Sequence, residues 1–108
     1  MITSVSVDQA GGVTADIVAA KTGYKIRVIS YNLSVGGAAL TVKSTFQDKT
    51  ANTVRMTLVG TVATPITYAF NGTPENFAFE TIASDALELV TGAASAISGF
   101  ITYEYSLR

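Results

Sequence analysis

Residues 24–35 read YKIRVISYNLSV and carry the clearest fold signal in the chain. Bulky apolar side chains alternate with polar ones from Tyr24 onward, and again up to Val35. A period of two is typical of a β-strand with one buried face. The alternation changes phase between Val28 and Ile29, so an unbroken strand would turn half of its apolar side chains toward solvent. We therefore predict a β-bulge at this step, which re-aims the strand.

The rest of the chain has the same character. Thr, Val, Ile, Tyr and Phe occupy 44 of 108 positions, and these side chains favour strands. Alternation recurs at 66–70, 77–79 and 101–107, with turn residues between the runs. The sequence predicts an all-β chain, a jelly-roll-like antiparallel β-sandwich of eight or nine short strands. The strands are expected near 2–7, 16–20, 24–35, 38–46, 53–62, 65–70, 77–82, 86–91 and 97–106.

Two local features bear on how these strands connect. Gly36-Gly37 lies between two apolar runs, and glycine takes the positive φ angles of tight hairpin turns. We predict a two-residue hairpin that joins 24–35 to 38–46. The segment 84–89 also permits a short helix, because Ser84 is a good helix cap and Glu88 follows four residues later.

The length of 108 residues and 11.3 kDa predicts a single domain that spans 1–108. Residues 1–12 admit two interpretations. In the first they form a flexible or docking N-terminal arm, since the glycine pair Gly11-Gly12 would loosen it, and Ile2, Val5 and Val7 would bind a partner. In the second the same residues form an ordinary edge strand of the sandwich.

Composition excludes most chemistry. Cys, His and Trp are absent, which removes thiol nucleophiles, imidazole bases and zinc sites built from them. We expect no enzyme activity, no metal site and no cofactor. The formal net charge of −1 does not indicate the basic surface that nucleic-acid binding requires. The apolar runs are too short to span a membrane. The N-terminus lacks the pattern of a secretory signal. The carboxylates that a glycosidase would need are expected simply to face water; they are Glu75, Glu80, Asp85, Glu88 and Glu104.

Charge is unevenly distributed along the chain. Residues 21–55 hold six of the seven basic side chains and one acid, a net charge of +5, whereas 75–104 hold five acids and no base. These charges either pair across strands within one sandwich or meet between subunits of a cyclic oligomer. Under the second interpretation Lys25, Arg27 and Arg55 are candidate contact residues.

The five tyrosines are candidates for a sugar-binding surface, since aromatic rings stack on the apolar faces of sugars. Their alternating strand positions also suit a core or an interface. A solvent-facing cluster of Tyr68, Tyr103 and Tyr105 would indicate glycan binding.

Several segments resemble small virion proteins of tailed bacteriophages. The pattern consists of a basic-apolar strand that ends in Ser-Tyr, a Phe-Glu-Thr segment, an Ala-Leu-x-Leu strand and a closing Gly-x-x-Thr-Tyr strand. Here it occupies 24–31, 79–81, 86–89 and 99–103, with a further apolar strand at 39–44, and the resemblance covers 17–105. The polar insertion 47–52 departs from it.

The resemblance implies a capsid decoration, or cement, protein. Such a protein binds the outer surface of the major capsid protein shell and stabilises the head, commonly as a homotrimer. It would be made in the bacterial host cytoplasm and reside on the phage head surface of the virion. Candidate contact residues for the capsid or another subunit are Ile2, Val5, Val7, Lys25, Arg27 and Arg55. The alternative is a receptor- or glycan-binding tip domain of a phage head or tail fibre.

Overall fold

The computed structural model describes residues 2–37 and 42–107, and in these ranges the chain forms nine β-strands. Within the same ranges no helix is long and apolar enough to cross a membrane. The strands are β1 Thr3–Gln9, β2 Thr14–Val18, β3 Lys25–Gly36, β4 Lys43–Asp48, β5 Val54–Val59, β6 Ile66–Asn71, β7 Phe79–Glu80, β8 Leu87–Val90 and β9 Ala96–Ser106.

The strands form two antiparallel sheets packed as a sandwich, which confirms the predicted fold class. One sheet has the order β1-β9-β3-β6, with β7 pairing to β3 beside β6. The other has the order β2-β8-β4-β5. Strands distant in the chain are neighbours in space, as in a jelly roll. The long central strands β3 and β9 pair over eleven positions and form the backbone of the larger sheet.

Apolar side chains from both sheets meet between them. Ile26, Leu33 and Ile101 from the five-stranded sheet face Phe46 and Leu89 from the four-stranded sheet, and all five are fully buried. Each such side chain contributes about 1.5–3 kcal/mol when it leaves water. Burial alternates along the strands because successive side chains point to opposite faces.

The predicted bulge is present in β3. Val28 pairs with Tyr103 and Ser30 with Thr102, so Ile29 is an extra residue with no partner on β9. The bulge returns the apolar side chains on both sides of it to the core face, which removes the conflict that the phase change creates.

The predicted Gly36-Gly37 hairpin is wrong. Gly37 does turn the chain, with φ of 88°, but β3 and β4 do not pair. β4 lies in the other sheet between β8 and β5. Residues 38–41 of the predicted strand 38–46 lie outside the described residues. The glycines signal a change of direction, which here carries the chain from one sheet to the other.

The short helix considered at 84–89 is also absent. Ser84 has a positive φ of 64°, and its Oγ accepts a hydrogen bond from the Gly23 amide instead of capping a helix. β8 follows, with Leu87 and Leu89 buried against the core. Two leucines two residues apart fit a strand, because both then lie on the same face.

The outer edges of the two sheets differ. β2 is interrupted by a register shift between Asp16 and Val18, and β5 by one opposite Phe46 and Gln47. The edge strands β1 and β6 pair with their neighbours over seven and six consecutive positions without a shift. Bulges and charges are the usual means by which proteins prevent pairing with a second chain.

Candidate interaction surfaces

Residues 3–9 of the predicted N-terminal arm form strand β1, which pairs with β9 along its whole length. Val7 is buried in the sandwich core and Val5 packs against it. Ile2, just before the strand, is 51% exposed. Residues 3–9 therefore form an edge strand, which is the second of the two interpretations. Among Ile2, Val5 and Val7, Ile2 is the residue that faces solvent.

Arg27 lies in a cage of acidic and aromatic groups. Its Nε and Nη2 each donate to Glu80 Oε2 at 3.1 Å, and Nη1 lies 3.9 Å from Glu104 Oε1. Nη1 also donates to the Pro74 carbonyl, and the Phe77 ring covers the guanidinium at 4.3 Å. The Arg27 side chain is 6% exposed. It is therefore a poor candidate for direct contact with a capsid or a second subunit.

Other charges also pair inside the chain. Lys25 Nζ lies 3.4 Å from Glu80 Oε1, so the basic and acidic stretches meet between β3 and β7. On the other sheet Lys49 Nζ lies 2.9 Å from Asp16 Oδ2, in an exposed pair. Arg27, Lys25 and Lys49 therefore pair with acidic side chains of the same sandwich, as in the first interpretation of the uneven charge.

Arg55 makes a two-pronged ion pair with a fully buried carboxylate. Its Nε and Nη2 donate to the two oxygens of Asp48 at 3.0 and 2.7 Å. The Ile82 amide donates to the same carboxylate. Hydrogen bonding to Asp48 raises the pKa of Arg55 above its ordinary value. Arg55 is thus a structural residue of the β5 bulge, with part of its side chain still at the surface.

A second buried carboxylate, Asp85, fixes the loop between β4 and β5. It accepts hydrogen bonds from the amides of Thr50, Ala51 and Ala86. Burial acts to raise the pKa of Asp85, but these backbone donors outweigh it and hold the pKa below its ordinary value. The expectation that this carboxylate faces water is wrong.

Glu88 departs from the same expectation. It is 7% exposed, and its Oε1 accepts a hydrogen bond from Gln47 Nε2 at 2.8 Å. In the described ranges no group of three or more acidic side chains is placed to hold a metal ion. The buried carboxylates of Asp48, Asp85 and Glu88 each accept hydrogen bonds from other groups of this chain.

The outer face of the five-stranded sheet is divided at the β3 bulge: the end near β7 carries the charges around Arg27, and the other end is nearly free of charge. Strand registers place twelve outward side chains on it in three rows of four, and Asp8 is the one charged member. We call these residues the uncharged face. They are Ser4, Ser6, Asp8, Ser30, Asn32, Ser34, Thr67, Ala69, Asn71, Ser98, Phe100 and Thr102.

Phe100 lies in the middle row of the uncharged face, between Ser6 on β1 and Asn32 on β3. Phe100 is 43% exposed, and these neighbours are small or polar. Beside it a shallow groove of about 370 Å³ runs along β3 and β6 past Asn32 and Asn71. An exposed phenyl ring on a charge-depleted surface is typical of the centre of a protein–protein contact.

The tyrosines do not form a solvent-facing cluster. The Tyr68 hydroxyl donates to the Val59 carbonyl and accepts from the Val59 amide. Tyr103 and Tyr105 pack against the core at the other end of the sheet, and Tyr105 donates to the Ala19 carbonyl. Burial, and to a smaller extent Tyr103, raises the pKa of Tyr105. The arrangement lacks the cluster that would indicate glycan binding.

Comparisons with known proteins find similarity in structure alone. No family model matches the chain, and no curated protein matches it. Among solved structures, the chain is similar to one from Bacillus endospore appendages, which form a novel family of disulfide-linked pili. The TM-score is 0.55 at 20% sequence identity, over 100% of this chain and 88% of that one.

It is also similar to a chain of the cyanophage Pam1 capsid asymmetric unit. Here the TM-score is 0.50 at 18% identity, over 97% of this chain and 83% of that one. At these identities the similarities define a class by fold alone, a β-sandwich protein related in structure to a capsid chain and to an appendage chain.

Proposed function

We propose that this protein is a bacteriophage capsid decoration protein. It binds the outer surface of the major capsid protein shell as a homotrimer and stabilises the head, with no enzymatic activity and no cofactor. The observation that carries the proposal is the uncharged face with its exposed Phe100, because depletion of charge around an aromatic side chain suits contact with another protein. The fold similarity to a capsid chain, which extends over 97% of this chain, and the sequence resemblance to phage virion proteins support it.

The size of the uncharged face favours several copies acting together. Four strands about 4.8 Å apart and about six residues long give it roughly 400 Å². A stable interface usually buries about 800 Å² on each partner. One copy would therefore bind weakly, whereas linked copies on a repeated shell gain affinity through effective concentration. Within the phage virion, this is the situation of a trimer on a capsid.

The proposal is tested by sedimenting the protein with phage heads assembled without it. Wild type should bind saturably, and Phe100→Asp should lose most of that binding. Val54→Asp is the matched control, since Val54 is 50% exposed on the outer face of the other sheet. Its binding should equal that of wild type. Absence of saturable wild-type binding would contradict the proposed function.

The native mass of the same two variants shows which contact Phe100 makes. If Phe100→Asp loses both the trimer and head binding, the uncharged face lies between subunits. If it keeps the trimer and loses head binding, the face contacts the capsid. Equal trimer mass and equal head binding for Phe100→Asp and wild type would show that the uncharged face serves neither contact.

A second candidate function is a subunit of a surface appendage. The similarity to the endospore appendage chain favours it, and that match has the higher TM-score of the two. This chain has no cysteine, so its own subunits could not be joined by disulfides. Electron microscopy of the concentrated protein tests the idea, since an appendage subunit should form filaments and a decoration protein should not.

A further inference from the structure

We propose that copies of this chain associate by pairing strand β1 of one copy with strand β6 of the next. The inference deepens the proposed function and rests on its homo-oligomer, for which it names the surfaces in contact. The partner is a second copy of the same chain, and the interaction is the addition of one antiparallel sheet edge to another.

The first argument is the contrast between the edges of the two sheets. In the described residues, β1 pairs with β9 alone and β6 with β3 alone, which leaves one side of each strand without a strand partner. Neither edge contains a bulge or a proline, and Asp8 is the one charge in the two strands. The other sheet has bulged edges, and the Tyr68 hydroxyl occupies both backbone groups of Val59 on β5. Long unprotected edges are templates for a second chain.

The second argument is strand direction. Each neighbouring pair in the order β1-β9-β3-β6 is antiparallel, so β6 runs opposite to β1. A following copy in the same orientation therefore brings its β1 antiparallel to β6. Such a contact is heterologous, and one kind of contact covers both unprotected edges.

The third argument is the pairing that the two strands allow. Placing Ser6 opposite Ala69 uses all six residues of β6 and sets Val5 and Val7 opposite Phe70 and Tyr68. Aromatic and β-branched side chains are favourable cross-strand neighbours. The outward partners are then small, so nothing bulky opposes the approach of the strands.

The same contact joins the uncharged faces of successive copies, because these faces belong to the sheets being joined. In a closed ring or an open row the joined faces become parts of one continuous sheet surface. In both arrangements the contact area of one copy is extended by its neighbours. This removes the limitation of the roughly 400 Å² that a single face offers.

Disulfide trapping tests the pairing directly, since the chain contains no cysteine of its own. The double variant Ser6→Cys with Ala69→Cys should form intermolecular disulfides about 100-fold faster than either single variant, because the assembly raises the effective concentration of the two thiols. Covalent trimers and no larger species indicate a ring, and a longer ladder indicates a row. Both results support the β1–β6 contact, and a row also favours the appendage function over a trimeric decoration protein.

Three results would overturn it. Rapid dimerisation of Ser6→Cys alone would show a symmetric contact between two β1 strands. Rapid dimerisation of Ala69→Cys alone would show one between two β6 strands. The third is a rate no higher than that of the control pair, Thr14→Cys with Thr57→Cys on the edges of the other sheet. Before this third result is accepted, the test is repeated with Thr67→Cys and then with Asn71→Cys in place of Ala69→Cys, each combined with Ser6→Cys. These variants test registers shifted by two residues.

Charge placed on the edges gives an independent readout. Ser6→Lys and Thr67→Lys should each lower the native mass to that of the monomer, and Thr57→Lys should not. Circular dichroism checks that each variant is folded. If the protein binds heads as a trimer but cannot be trapped in any register, the edge pairing is refuted and the capsid function is not. Trapped oligomers that fail to bind heads refute the capsid function alone.

Discussion

Arg27 is the residue at which the two oppositely charged stretches of the chain meet. Its guanidinium contacts Glu80 and Glu104 and is covered by Phe77. We expect Arg27→Ala to lower the free energy of unfolding by about 2–4 kcal/mol, because the partly buried carboxylates of Glu80 and Glu104 both lose the guanidinium and Glu80 keeps Lys25 alone. Urea unfolding measures the change. Lys49→Ala is the control, since it breaks an exposed ion pair that contributes little. Equal losses for the two variants would contradict the account of the Arg27 cage.

Asp85 makes stability depend on pH. Its pKa in the folded protein lies below the ordinary 3.8, so its contribution is present above that pH and is lost as pH falls through the folded pKa. We expect Asp85→Asn to cost about 1–2 kcal/mol at pH 7, since it replaces a charged acceptor of three backbone donors. The gap to wild type should shrink toward about pH 3. Urea unfolding at both pH values tests this, and a gap that stays constant would refute it.

At the residue scale the sequence identified charges but not their partners. It predicted that basic and acidic stretches pair, which Arg27 and Lys25 confirm for pairing within the chain. It did not indicate that Asp48 and Asp85 are buried, because the Ile82 amide that donates to Asp48 and the Thr50 and Ala51 amides that donate to Asp85 are distant in the chain. Their one local signal is an aspartate next to a loop, a feature too common to be specific.

At the scale of elements, Gly99 sets how closely β9 approaches β3. Its φ is 136°, and a Cβ at this position would lie 2.0 Å from the Asn32 carbonyl oxygen. We expect Gly99→Ala to destabilise the protein by on the order of 3 kcal/mol, through both strain and steric conflict. Gly12→Ala is the matched control, with φ of 72° and open space around the new methyl group. It should cost about 1 kcal/mol.

Denaturation midpoints of the two glycine variants provide the comparison. If Gly99→Ala costs no more than Gly12→Ala, the backbone contact between β9 and β3 is less tight than the structure indicates. A larger loss at Gly99 would show that the contact is a determinant of the central strand pair.

The sequence was informative about elements and less so about their pairing. Alternation located the strands, and the phase change at Val28 and Ile29 predicted the bulge, because both are local consequences of burying one face. The Gly36-Gly37 prediction was wrong because a turn signal reports a bend and carries no information about which strand lies beside the next. In a jelly roll most neighbours are distant in sequence.

At the scale of the whole molecule, the uncharged face could not be predicted from the sequence. Apart from Asp8, Ala69 and Phe100, its members are ordinary Ser, Thr and Asn residues scattered over β1, β3, β6 and β9, and the strand registers alone bring them together. Composition did indicate a chain with little charge, 14% of its residues. Where that lack of charge is concentrated depends on the topology.

The proposal that the protein reinforces a phage head is tested most directly by heating heads with and without it. Heads assembled without the protein are mixed with a saturating amount of it, and the temperature at which they break open is measured by light scattering and release of DNA. We predict a higher temperature than for untreated heads, because a ligand that binds the assembled shell stabilises it by mass action. An unchanged temperature at saturating protein would contradict the proposed function.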